Sequence, residues 1–298
     1  MINYTEQRNS ASTNLDQMSI PEMMQLMNEE DQNAVTAVSK IISELEPLIE
    51  EVVKSFKKNG RLIYIGAGTS GRLGILDAVE CVPTFGTSSE QVIGVIAGGD
   101  TAIKDAVEGA EDLPELGVAD LKALNLTDID VVIGIAASGR TPYVIGALKY
   151  ANEIGAVTGA LSNNANTAIS ALADYPIEVI VGPEVLTGST RMKAGTSQKL
   201  VLNMISTISM VKIGKVYENL MVDVQATNEK LVDRSIRIIV EITGASYAEA
   251  EHVFDEAGAV KTGIVMILAD ATKDAAETAL EHTDGFTREA IRELSGLM

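Results

Sequence analysis

Residues 61–72 read RLIYIGAGTSGR, and residues 131–142 read VVIGIAASGRTP. Each is an aliphatic run that ends in a glycine- and hydroxyl-rich loop, with Ser-Gly-Arg just ahead of a helical pattern. Further aliphatic runs occur at 91–97 (QVIGVIA), 156–162 (AVTGALS) and 177–182 (IEVIVG). Helical stretches separate them, around 70–80, 101–109, 117–124, 142–153 and 166–173. Near-continuous aliphatic strands alternating with helices predict an α/β fold built on a doubly wound, five-stranded parallel sheet. Ligands of such sheets bind beyond the carboxyl ends of the strands. Chemistry is therefore expected in the loops after residues 66, 97, 137, 162 and 182.

Outward from the sheet, residues 1–20 are polar and rich in Ser, Asn and Thr, and read as an N-terminal arm, not a packed element. Ser19-Ile20-Pro21 opens a helix, with Ser19 as its cap and Pro21 in the first turn. A second helical pattern, VTAVSKIISELEPLIEEVVKSFKKNG, stops at Gly60 with lysines in its last turn. After the loop GPEVLTGSTRMKAGTSQ a long, mostly apolar helix is expected at about 195–217, and from about 232 only short amphipathic segments remain. The expected organisation is a polar arm over 1–20, an α/β domain over 21–231 and a small helical bundle over 232–298.

The chain has 298 residues, 46% of them hydrophobic but only 4% aromatic, with no Trp. That composition suits aliphatic helices packed on a parallel sheet. The formal net charge of −19 argues against a nucleic-acid partner, which would call for a basic face. It does not exclude a small anion, because a few local donors outweigh a repulsive global field. No run reaches the ~20 apolar residues of a membrane span, and the N-terminus lacks an apolar signal region. The single cysteine, Cys81, rules out an internal disulfide and fits a reducing, cytoplasmic setting. Neither His252 nor His282 belongs to a cluster with ligand spacing, so no metal site is expected and both read as surface or packing residues.

The two Ser-Gly-Arg loops, with Thr69, Ser70, Gly71 in one and Ser138, Gly139, Arg140, Thr141 in the other, follow buried strands and precede helices. Such loops offer backbone N–H groups, hydroxyls and a helix N-terminus, all of which favour a phosphate. Two matched loops on one sheet edge favour anion binding over simple helix capping. A third loop, Thr187 to Lys193, adds Ser189 and Thr190 to two cations, Arg191 and Lys193. The first loop also matches G-x-G-x-x-G, but a dinucleotide site wants an acid closing the second strand. Glu90 opens that strand and Asp100 lies beyond Gly98-Gly99, so a nicotinamide cofactor is not expected.

Two carboxylates are candidates for acid–base work. Glu80, in Asp77-Ala78-Val79-Glu80-Cys81-Val82-Pro83, is expected in the last turn of its helix among apolar neighbours. Both settings would raise its pKa, as a general acid requires. Glu111, in Ala106-Val107-Glu108-Gly109-Ala110-Glu111-Asp112, would reach the same crevice from a neighbouring loop. From its own surroundings it is indistinguishable from a solvated acidic helix end. Glu184, just after the fifth strand, is a further carboxylate at that edge.

At these residues the chain resembles the N-acetylmuramic acid 6-phosphate etherases of the sugar isomerase (SIS) superfamily. The resemblance covers GAGTSGRLGILDAVEC, AGGDTAIKDAVEGAED, IAASGRTPYVIGALKYA, TGSTRMKAGTSQKLVLNM and GKVYENLMVDVQATNEKL. It implies an SIS-type αβα sandwich, a homodimer and no cofactor or metal. The implied reaction splits the lactyl ether of N-acetylmuramate 6-phosphate into N-acetylglucosamine 6-phosphate and D-lactate, by elimination and then addition of water. The family's catalytic carboxylates carry over to Glu80 and Glu111, with Glu80 as the acid at the ether oxygen and Glu111 as the base at C2. Its phosphate-binding hydroxyls carry over to Thr69, Ser70, Ser138 and Thr141. Ala136 stands where many such loops have another serine, which shifts weight to Arg72, Arg140 or residues 188–193. The alternatives are an aldose–ketose sugar-phosphate isomerase, which needs no leaving-group acid, and a non-catalytic sugar-phosphate sensor.

Overall fold

The computed structural model describes residues 3–224, 226 and 228–296. The chain divides into two compact units, the first comprising Met1–Val79 and Ser89–Ser206, the second Glu80–Ser88 and Thr207–Met298.

In the first unit five parallel strands form one sheet in the order β2-β1-β3-β4-β5. They are β1 (Leu62–Gly66), β2 (Val92–Ile96), β3 (Val131–Ile135), β4 (Val157–Ser162) and β5 (Tyr175–Glu178). β1 and β3, the runs quoted first, are buried along their whole length at the centre. Helices α1 (Ile20–Ser39), α2 (Ile42–Lys57), α3 (Gly68–Phe85), α4 (Thr101–Lys104), α5 (Pro114–Ala123) and α6 (Pro142–Ile154) come from the segments around these strands. They are followed by α7 (Lys193–Lys212). Ile63, Ile65, Val132, Val144, Ala147 and Leu148 meet in one core cluster, where α6 packs on the central strands.

The amino ends of β1 and β3 are tied by a buried ion pair. Asp130, 1% exposed, accepts from Arg61 Nε (3.0 Å), Nη2 (2.6 Å) and the Arg61 backbone N–H (2.9 Å). Thr127 N–H and O–H add bonds of 2.9 and 3.0 Å to the same carboxylate. Burial opposes ionisation of Asp130, but the Arg61 and Thr127 donors outweigh it and hold the carboxyl below its ordinary value.

Three local expectations are corrected. The fifth strand pairs over 175–178, not 177–182. Ile177, Val179 and Val181 are all buried, so the alternation continues, but beyond the Val179 N–H bond to Ser162 O (2.8 Å) the chain leaves the ladder. Residues 166–173 make one turn, not a helix; Asn166 has φ +54, and the Glu178 carboxylate accepts from the N–H groups of Asn166 (3.0 Å) and Thr167 (3.2 Å). The N-terminal arm is packed: it forms 3-10 turns at Tyr4–Glu6, Ser10–Ser12 and Leu15–Gln17, and Thr5 is 1% exposed.

In the second unit a short antiparallel hairpin, β6 (Val216–Tyr217) and β7 (Leu220–Met221), precedes five helices. These are α8 (Glu229–Thr243), α9 (Tyr247–Ala257), α10 (Val260–Ala269), α11 (Lys273–His282) and α12 (Thr287–Leu294). The longer segment of this unit runs from Thr207, and its Val222, Tyr217 and Leu220 share a core with Ile236, Ile239 and Ile264. His252 and His282 are both exposed, and Cys81 is buried.

The Arg61–Asp130 pair generates a stability prediction. Asp130→Asn should cost about 2–4 kcal/mol in urea unfolding at neutral pH, since it breaks a buried, multiply bonded charge pair. A carboxyl whose folded pKa lies below its unfolded value stabilises the fold above the ordinary carboxylate range. That contribution fades as pH falls through the folded value, so the gap between parent and variant should close on acidification. A neutral-pH cost under about 1 kcal/mol would show the pair to be no more than a surface bridge.

Candidate active site

A cavity of about 440 Å³ lies at the carboxyl ends of β1 and β3. From the first loop it takes Gly68, Thr69 and Ser70, and from the second Ser138, Arg140 and Thr141. α3 starts at Gly68, and Thr141 stands just ahead of α6 with its side chain making no capping bond, so two helix N-termini bring positive dipole ends to one place. This convergence depends on missing side chains. A Cβ on Gly71 would lie 2.6 Å from Ile96 Cγ1 and 2.8 Å from Gly66 O, so only glycine lets α3 sit this close to the strand end. Gly139 has φ +68, and a Cβ there would lie 2.3 Å from Thr167.

Behind the first loop lies a buried hydrogen-bond chain. Asn163 donates through Nδ2 to Val179 O (2.9 Å), an acceptor whose identity is fixed because it is a backbone carbonyl. Its Oδ1 must then accept, and does so from Gln198 Nε2 at 3.1 Å. Gln198 Oε1 accepts in turn from the Ser70 hydroxyl at 2.9 Å. The proton of Ser70 is thus committed to the protein. Ser138 is the opposite case: its Oγ accepts from Arg140 N at 3.3 Å, which leaves its own proton available to a ligand.

Glu111 reaches the cavity from a 3-10 turn, Ala110–Asp112, that starts after Gly109 at φ +78. Ala110 anchors the turn in the core at 8% exposure, while Glu111 is exposed. Among the described residues the Glu111 carboxylate has no hydrogen-bond or ion-pair partner. Glu111 also lines an adjacent cavity of about 320 Å³, together with Glu108.

Other sequence candidates fall elsewhere. Glu80 belongs to the second unit and does not line this cavity. It is exposed, and α3 continues past it through Pro83 to Phe85, so neither the desolvation nor the helix end expected for it is present. Arg72 donates to Ile103 O and Asp105 O, both at 3.0 Å, which pins the loop after β2, and it lines a neighbouring cavity, not this one. Lys193 is 1% exposed and ion-paired with Glu30, facing a different cavity. Glu184, also 1% exposed, accepts from Ala194 N (2.9 Å) and Lys193 N (3.2 Å). It therefore caps α7. Burial pushes its carboxyl up, and those N–H groups oppose the shift. Ser189 is not at the cavity wall, whereas its neighbours Gly188 and Thr190 are.

Two lining residues escaped the sequence reading: Thr5 and Glu6, from the arm. Their segment has no periodicity, and the bonds that hold it run to residues some 160 positions away, as with Tyr4 N to Asn164 Oδ1. Among the described residues no helix is long and apolar enough to cross a membrane, and no group of three or more His, Cys, Asp or Glu is placed to hold a metal ion.

The contrast between the two serines is measurable. Ser70→Ala should lower stability by about 1–3 kcal/mol, because it leaves Gln198 Oε1 buried and unbonded. Ser138→Ala should leave the unfolding midpoint nearly unchanged and weaken binding of inorganic phosphate by about tenfold, the loss of one hydrogen bond to a charged acceptor. Equal thermal shifts for the two variants would contradict the assignment of their protons.

Residues 44–152 match the glucokinase regulatory protein N-terminal SIS domain, and residues 115–208 match the SIS domain. The fold is similar to that of the phosphoheptose isomerase of Neisseria gonorrhoeae, with a TM-score of 0.51 at 20% identity over 64% of this chain and 98% of that one. A phosphoheptose isomerase from Francisella tularensis gives 0.50 at 16% identity over 65% and 99%. An N-acetylmuramic acid 6-phosphate etherase from an Exiguobacterium strain is 60% identical over 96% of this chain and 98% of its own length. The etherase of Halalkalibacterium halodurans is 57% identical over 98% of each chain. With strand-end loops of this geometry and identity over nearly its full length, the chain belongs to the N-acetylmuramic acid 6-phosphate etherase family.

Proposed function

We propose that this protein cleaves the D-lactyl ether of N-acetylmuramate 6-phosphate, releasing D-lactate and N-acetylglucosamine 6-phosphate. The observation that carries this reading is the single cavity in which hydroxyl-bearing strand-end loops meet an unpartnered carboxylate, Glu111. The 6-phosphate is received at the two helix N-termini, where Thr69, Ser138, Thr141 and Thr190 present hydroxyls and Arg140 a cation. In the open-chain sugar the aldehyde acidifies the hydrogen on C2. Glu111 removes that proton, lactate departs from C3 with a proton supplied by an acid, and water adds to the unsaturated aldehyde. The carboxyl groups relay protons between steps, so no electron acceptor is consumed.

The acid is Glu80, and a second copy of the chain supplies it. Gly68 lines the cavity and opens α3, and Glu80 lies twelve residues along the same helix, about 18 Å at 1.5 Å per residue. That distance is too long for one sugar to bridge from the Gly68 end of the helix. Around Glu80, α3 exposes Leu76 (50%) and Val79 (60%), an apolar turn suited to cover by a symmetric partner. In the homodimer each site then combines Glu111 of one copy with Glu80 of the other.

Released lactate is the decisive product, since an isomerase acting on the same phosphate would form none. Glu111→Gln should lose at least about 100-fold in turnover and also lose exchange of the C2 hydrogen in deuterium oxide. Glu80→Gln should stop ether cleavage while exchange persists. Co-expression of the two inactive variants should restore about a quarter of wild-type lactate release, from the one intact site in each mixed dimer. Absence of complementation would place both carboxylates in one chain, and a retained exchange in Glu111→Gln alone would reverse the roles.

A further inference from the structure

Besides Glu111, the carboxylates of Asp112 and Glu6 line the cavity; Asp112 shares the turn of Glu111, whereas Glu6 comes from the arm and has no task in the etherase chemistry. Glu6 sits on the 3-10 turn Tyr4–Glu6, whose position is over-determined for so polar a segment. Tyr4 N donates to Asn164 Oδ1 at 2.6 Å, and Asn164 Nδ2 donates to Thr5 Oγ1 at 3.0 Å. The same Nδ2 also donates to Ala137 O at 3.1 Å, so one amide holds both the arm and the strand end that leads into the Ser138 loop. Farther along, Asn9 Nδ2 donates to Pro183 O (3.1 Å) and Ser12 Oγ to Val185 O (2.7 Å).

This anchoring delivers a charge that nothing in the protein neutralises. Among the described residues the Glu6 carboxylate has no hydrogen-bond or ion-pair partner, and its Oε2 lies 3.8 Å from the position a Cβ on Gly188 would take. Glu6 is exposed and stands at the cavity wall, where a bound ligand can reach its carboxylate. Phosphate cannot be that ligand group, because like charges repel. An ionised carboxylate only accepts hydrogen bonds, and the donors that a sugar phosphate offers are its hydroxyl groups and, in an N-acetyl sugar, its amide N–H. We infer that Glu6, positioned by the N-terminal arm, is a substrate-binding residue that accepts a hydrogen bond from a hydroxyl or amide N–H group of the sugar. The inference rests on the sugar-phosphate reading of the cavity and adds a contact that specifies the sugar, not the phosphate.

The test is calorimetric binding of N-acetylglucosamine 6-phosphate and, separately, of inorganic phosphate, with lactate release assayed in parallel. Glu6→Ala should weaken the sugar phosphate by about tenfold or more and leave inorganic phosphate within about twofold. Glu6→Gln keeps a carbonyl acceptor and should fall between parent and Glu6→Ala. The double variant Asn9→Ala/Ser12→Ala, which loosens the arm away from the cavity, should weaken the sugar phosphate less and add nothing in the Glu6→Ala background. Unchanged sugar-phosphate binding in Glu6→Ala overturns the inference, as does equal weakening of both ligands. Additivity of the arm and Glu6 changes would overturn the positioning role. A wild-type protein that binds the sugar phosphate but releases no lactate would sink the etherase reading and leave this binding test intact. One that fails to bind it sinks both.

Discussion

The carbonyl of Val179 sets the direction of a hydrogen-bond chain on which the site depends. Because that carbonyl can only accept, Asn163 must donate to it, and Gln198 and Ser70 must follow in a fixed order. Asn163 Nδ2 also donates to Ser197 Oγ at 2.9 Å, and Ser197 in turn donates to Ala194 O at 2.7 Å. Four elements are thereby held together: the end of β4, the exit of β5, the first turns of α7 and the first turn of α3. Each of these side chains is buried, so each has to be satisfied inside the protein. A network with every member satisfied admits one arrangement, which is what a site assembled from distant loops requires.

A second constraint concerns how like charges share a small space. Thr69, Ser138 and Thr141 stand at the helix N-termini, where dipoles and N–H groups concentrate positive potential. Glu111 comes from the loop after β2 and Glu6 from the arm, so the carboxylates reach the cavity by other routes. A sugar phosphate is itself divided in this way, with an anionic end and a neutral, proton-bearing end. The distribution of side chains matches that division. Arg72 contributes indirectly, since its bonds to Ile103 and Asp105 steady the segment that leads to Glu111.

The sheet could be read in advance because its determinants are local. A buried central strand is a short aliphatic run, and β1 and β3 match theirs to within one or two residues. The Ser-Gly-Arg loops were equally visible, since glycine and hydroxyl residues directly after such a run have few other uses. What could not be read depended on partners far away in the chain. The segment 166–173 has helical composition, yet it starts from Asn166 at φ +54 and is bound to Glu178. Ser70 looks like any loop serine until Gln198, 128 residues on, is brought beside it. Lys193 looks like a phosphate ligand until Glu30 is found against it. The arm is the extreme case, polar by composition and bonded to Asn164, Pro183 and Val185.

Glu80 shows a different limit, because its expected environment was inferred from neighbours in sequence. Ala78 and Cys81 are indeed buried, at 4% and 2%, but Glu80 and Val79 lie on the other side of the helix, in the open. Helical periodicity explains this: residues at i and i+4 share a face, so Glu80 groups with the exposed Leu76, not with Ala78 or Cys81. An exposed carboxylate beside exposed aliphatic side chains gains a depressed dielectric only when another surface covers it. On the dimeric reading, the surface that brings Glu80 to a site is also the surface that desolvates it. Assembly would then set the position of Glu80 relative to a site, a property that the isolated chain lacks.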